Sequence, residues 1–131
     1  MNRWCVFAMA ALFQAAWIGA LPAQSGHQDP SWVAPDRAAS MPNPLAGRSE
    51  LADGGRKVFE QRCTQCHGDD AQGTSRAPNL LSRRVQAQTD GALFWKISSG
   101  DTRAGMPTFS YLPAPERWQL VLHLRSLANV R

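Results

Sequence analysis

The chain has 131 residues, enough for one domain with a modest core. Its formal net charge is +4, carried by twelve arginines and two lysines against ten acids. The arginines are scattered among the acids rather than striped, which argues against nucleic-acid binding.

Residues 1–23 read as a secretory signal peptide. Arg3 is the only charge before Asp29, and Trp4 to Leu21 is apolar apart from Gln14. Ala20 and Ala23 offer cleavage positions. An uncleaved membrane anchor is the competing reading, since eighteen residues approach the length of a bilayer span. The Gln14 interruption and the Ala-rich end favour cleavage, hence export to a periplasm. Cleavage removes Cys5 and leaves Cys63 and Cys66, so no structural disulfide is available to the mature chain.

Residues 24–48 hold Pro30, Pro35, Pro42 and Pro44 among polar and small residues, with no apolar periodicity. They read as a flexible tether in which Trp32 is an isolated exposed aromatic. The domain spans residues 49–131. Ser49 suits an N-cap, and Leu51, Gly55, Val58 and Phe59 follow at helical spacing. Gly54 and Gly55 each weaken a helix by roughly 1 kcal/mol. A helix keeps that cost where another backbone approaches closely.

The first helix runs into Cys63-Thr64-Gln65-Cys66-His67, a CxxCH run. This is the short signature of covalently attached haem. Two thiols add across the two vinyl groups to form thioethers, and the adjacent imidazole is carried to the iron. Three other readings compete. Structural zinc needs a fourth ligand in a second regular pair, and Cys5, His27 and His123 form none. A redox disulfide between Cys63 and Cys66 calls for a βαβ context that is absent from the pattern. The third is a chance match. Haem is the favoured reading.

A polar loop follows Gly68 and ends at Ala77-Pro78-Asn79. A second helix is predicted from Thr89 or Asp90 to Ser98, with Leu93, Phe94 and Ile97 inward and Gly100 as its stop. Residues 101–112 form another loop, containing Gly105-Met106-Pro107. Pro115 suits the first turn of a last helix, with Trp118, Val121, Leu122 and Arg125 on one face. No alternating strand pattern occurs, so the predicted fold is all-α with long loops around one central cofactor. Three helices in about eighty residues make a marginal core without one.

The sixth iron ligand decides the chemistry. Met41, Met106, His27 and His123 are the candidates. His27 and Met41 precede the attachment site, and His123 sits between leucines as an exposed or core-edge histidine. Met106, 39 residues after His67 and flanked by Gly and Pro, is the preferred ligand.

From Ser49 to Leu127 the chain resembles a class I c-type cytochrome, small and monohaem. The resemblance makes Cys63 and Cys66 the thioether cysteines, His67 the proximal ligand and Met106 the distal one. It makes Pro78 the residue whose carbonyl accepts the proximal imidazole's Nδ1–H. Gly55 and Phe59 match the family's first-helix pair, and Trp118 with Leu122 the pair that crosses it. Pro113 departs from the family, standing where many relatives carry a Ser or Thr cap. The resemblance implies haem c and a one-electron carrier rather than an enzyme. Its donor would be a dehydrogenase or quinol-oxidising complex, and its acceptor an oxidase or similar protein. Arg62, Gln65, Arg76 and Arg103 are expected at the electron port, and Trp95 or Arg103 at a propionate. The alternative is a gas sensor or peroxidase-like enzyme with a labile sixth ligand.

Overall fold

The computed structural model describes residues 31–129. The expected signal peptide, His27 and residues 24–30 lie outside the described residues. Six α-helices occur in the order α1 (Asp36–Ala39), α2 (Ala52–Arg62), α3 (Thr64–His67), α4 (Arg83–Gln86), α5 (Asp90–Ser99) and α6 (Ala114–Asn129). Two 3₁₀ turns, Ser49–Leu51 and Thr102–Ala104, precede α2 and follow α5. Among the described residues there is no strand, only an isolated bridge between Asp101 and Met106. The expected all-α architecture is the one found.

The crossing of α2 on α6 organises the core. A Cβ at Gly55 would stand 1.9 Å from the Gln119 carbonyl oxygen, so no side chain fits between the two backbones. That contact explains the glycine that α2 tolerates. The seat on α6 is the Gln119–Leu120 backbone rather than a Trp118–Leu122 pair. Trp118 is buried but stacks on Phe94 of α5, with ring centroids 4.0 Å apart. Phe59, one turn beyond Gly55, packs on His123 at 5.4 Å.

The helix ends differ in chemistry. Thr89 caps α5, its hydroxyl accepting from Ala92 N–H, and Gly100 stops it at φ +64°. Ser49, expected as an N-cap, instead begins the 3₁₀ turn, and α2 has no side-chain cap. At α6 the Pro113 carbonyl accepts from the Glu116 and Arg117 amides.

Residues 31–48 are not the flexible tether their composition suggests. They run back along α5: Trp32 packs on Trp95, and further on the carbonyls of Ala38 and Met41 cover Gly91. The Thr89 hydroxyl donates to Ala39 O at 2.6 Å, and Asn43 Nδ2 donates to Asp90 Oδ2 at 2.8 Å. Ala34 is buried, and Leu45 packs against the core. Backbone and polar contacts fix this strap, so no apolar period marks it in the sequence.

Two outcomes follow from these contacts. Gly91→Ala should raise helix propensity by roughly 1 kcal/mol if the strap were loose. A Cβ there meets Ala38 O at 2.2 Å, so denaturant unfolding should instead show a loss of about 1–3 kcal/mol. Equal or greater stability would mean that the strap does not pack on α5. His123 titrates below its ordinary 6.5, because burial disfavours its cation and Arg56 repels it, against weaker attraction from Glu60 and Asp53. The unfolded chain therefore binds the extra proton first. His123's contribution is whole above pH 6.5 and is lost as pH falls from there towards the lower folded value. H123Q should flatten the fall in stability as pH drops below the ordinary histidine value of 6.5, relative to the parent protein.

Candidate haem-binding site

The attachment run is placed by the end of α2. Cys63 N–H donates to Phe59 O at 2.8 Å as the last bond of that helix. Its backbone then bends (φ −117°), and α3 adds one turn, with His67 N–H on Cys63 O at 2.9 Å. Gly68, at φ +78°, ends that turn.

The loop after Gly68 folds back on the motif. Gly73 N–H donates to His67 O at 2.8 Å and the Thr74 hydroxyl to Cys66 O at 2.5 Å. Leu80 N–H closes on Ala71 O, a fully buried alanine at φ +59°. A Cβ at Gly73 would meet Asn79 N at 2.6 Å, so this close return needs glycine. The result brings Pro78 O to 3.0 Å from His67 Nδ1. That carbonyl can only accept, so Nδ1 carries the proton and Nε2 keeps its lone pair. Burial also pushes the imidazole's pKa down, with the Pro78 bond partly opposing. His67 is thus held neutral, which is its ligating form.

Met106 arrives on a closed turn. Asp101 and Met106 exchange both backbone hydrogen bonds, at 3.0 and 2.8 Å, around the 3₁₀ turn. Asp101's carboxylate caps Ala104 N–H, and Gly105 turns the chain at φ +85°. Beyond it, the Thr108 hydroxyl donates to Ser98 O, and Phe109 N–H to Ile97 O, stapling the loop to α5.

Cys63, Cys66, His67, Pro78 and Met106 all line one cavity of about 500 Å³. Its remaining wall is mainly apolar, including Phe59, Leu80, Val85, Leu93, Ile97 and Leu120. Arg62, Gln65 and Arg76 reach its edge. Arg103 does not; it borders a second, polar depression beside Thr102 and Ser99. Trp95 lies outside the cavity wall, and Trp32 with Lys96 stands in it instead. Composition hid Trp32, because its proline-rich surroundings read as tether. His123 is buried outside the cavity, and Met41 is exposed at 38%.

The residues present fit haem c. Cys63 and Cys66 are both free, and burial first, then Cys66, pushes the Cys63 thiol up to about 11. Among the described residues no three His, Cys, Asp or Glu side chains are placed to hold one ion between them. A neutral imidazole from α3 and a thioether from a separate loop, inside an apolar cavity, suit an iron macrocycle.

No helix among the described residues is long and apolar enough to cross a membrane. None of the curated proteins compared with the chain matches it. Residues 50–124, more than half of the chain, match the family model described as cytochrome c oxidase, cbb3-type, subunit III. The chain belongs to that family and is a c-type cytochrome, an electron carrier whose cofactor is covalently attached haem c.

Proposed function

We propose that this protein is an exported, periplasmic one-electron carrier in which His67 Nε2 and Met106 Sδ ligate the haem iron. Cys63 and Cys66 hold the macrocycle through thioethers. The observation that carries this reading is the one cavity lined both by the Cys63–His67 run and by Met106, which arrives from a separate loop. When bound, haem c supplies a one-electron couple.

The protein's residues set the terms of that couple. Pro78 O fixes the His67 ring and raises its donor strength by taking the Nδ1 proton in a hydrogen bond. Met106's thioether favours the reduced metal and raises the potential relative to two histidines. The apolar wall acts in the same direction, because a low dielectric disfavours the extra positive charge of the oxidised site. With His67 and Met106 both holding the group, small molecules would be kept from the metal and only an electron would pass. The stapled loops at Met106 and Pro78 hold both ligands firmly in either redox state, which keeps reorganisation small.

Arg62, Gln65 and Arg76, beside the cysteines, form the edge at which partners dock. The donor is a dehydrogenase or quinol-oxidising complex, and the acceptor an oxidase. The matched family's description, an oxidase subunit, supports a respiratory acceptor. In this role the protein is no enzyme.

The test is the optical spectrum of the reduced, haem-loaded protein with and without carbon monoxide. The parent spectrum should be unchanged by the gas. Met106→Ala should bind about one carbon monoxide per haem, shift its Soret band and lose potential. A carbon monoxide shift in the parent protein would instead point to an open sixth site, hence to a gas sensor or peroxidase-like enzyme.

A further inference from the structure

Three cations line the cavity: Arg62, Arg76 and Lys96. Arg62 adjoins Cys63, and Arg76 lies two residues before Pro78, so both belong to the side of the thioethers and the proximal imidazole. Lys96 comes from α5. Its Nζ sits 4.6 Å over the ring of Trp32, and Trp32 in turn leans on Trp95 at a centroid distance of 6.5 Å. The strap thus delivers an aromatic face that holds the ammonium at the cavity wall.

We propose that Lys96, positioned by Trp32, is the binding residue for a propionate carboxylate of the haem. The inference rests on the reading that this cavity holds haem c. In haem c the thioethers stand on the vinyl edge of the macrocycle and the carboxylates on another edge. A carboxylate therefore needs a cation away from Cys63 and Cys66, and Lys96 is the one the cavity offers.

Two further observations agree. None of the ion pairs formed by the described residues involves Lys96. Burial disfavours its charge most, Arg84 repels it next, and the attraction of Asp101, whose carboxylate caps Ala104 N–H, is weaker than either. With no ion pair of its own, the ammonium at the cavity wall is short of an anion. Trp32 and Asp101 also border the polar depression lined by Ser99, Thr102 and Arg103. The apolar cavity meets polar surface at this point, as a largely apolar ligand with a charged end requires. Trp32 lies outside residues 50–124, so this half of the subsite comes from the strap and not from the family-matched segment.

The experiment uses the haem-loaded full chain and compares K96Q, K96R and W32A with the parent protein. Pyridine haemochrome spectra count attached haem, resonance Raman reports the propionate bending band, and voltammetry gives the potential. K96Q should keep one haem but shift the bending band. It should also lower the potential, because an unbalanced carboxylate favours the oxidised metal. K96R should return both readouts towards the parent values, and W32A should move them part of the way. A K96Q protein with one haem, an unmoved bending band and an unchanged potential would overturn the proposal and leave the site reading intact. A parent protein without thioether-linked haem would overturn both.

Discussion

The contact between the Gly55 backbone and the Gln119–Leu120 backbone is the constraint on which the rest of the structure depends. A helix pair normally keeps its axes 8–10 Å apart because side chains lie between them. Removing the side chain at Gly55 lets α2 sink onto α6. Its next buried residue, Phe59, then reaches the cavity wall, and the helix end delivers Cys63 there. Gly54 makes no such demand, since a Cβ there would meet only the movable end of the Gln119 side chain. From α6, Leu120 and Leu124 face the same cavity. One backbone contact thus fixes both the cysteines and the apolar wall before them.

Fold and cofactor depend on each other through that wall. An apolar cavity of about 500 Å³ leaves its lining without packing partners unless something fills it. Haem burial therefore stands beside the α2–α6 crossing as a determinant of the fold. Covalent attachment makes the same apolar filler permanent. The long loops fit this: residues 68–82 and 101–112 contain little regular structure, yet each is closed by its own short-range hydrogen bonds and brings a residue, Pro78 or Met106, to the cavity.

Local chemistry was legible in the sequence, and packing between distant backbones was legible only where glycine marked it. CxxCH needs five adjacent residues, and Thr89 and Gly100 sit at the ends of a periodic helix, so both were readable. The Gly54-Gly55 pair announced a close approach, although not its seat on Gln119. Met106 is preferred over three other candidates on its Gly and Pro flanks and its spacing from His67, a weaker signal than a five-residue motif. The strap was missed because its contacts are Ala38 and Met41 carbonyls on Gly91, with Thr89 and Asn43 hydrogen bonds beside them. None of these leaves a hydrophobic period. The one available signal was Gly91 itself, an unfavourable residue directly after the α5 start. Arg125 was read simply as part of a helix face. In the structure it donates to Asp90, to Gln86 and to the Gln88 carbonyl, joining α6 to the turn before α5.

Asp90 helps make α5 a shared support for the strap, the cavity wall and the Met106 loop. One of its oxygens accepts from Arg125 of α6 and the other from Asn43 of the strap. The Asp90–Arg125 pair is only about a quarter exposed, so it is less screened than the exposed pairs at Arg48 and Arg56. At the far end of the same helix, Ser98 O and Ile97 O hold the loop that carries Met106. Trp95 and Lys96, one turn earlier, hold Trp32. A displacement of α5 would therefore move the strap, the cavity wall and the Met106 loop together. Such a helix passes mechanical restraint from the core to the Met106 loop, and that restraint suits a site whose work is to change charge without changing shape.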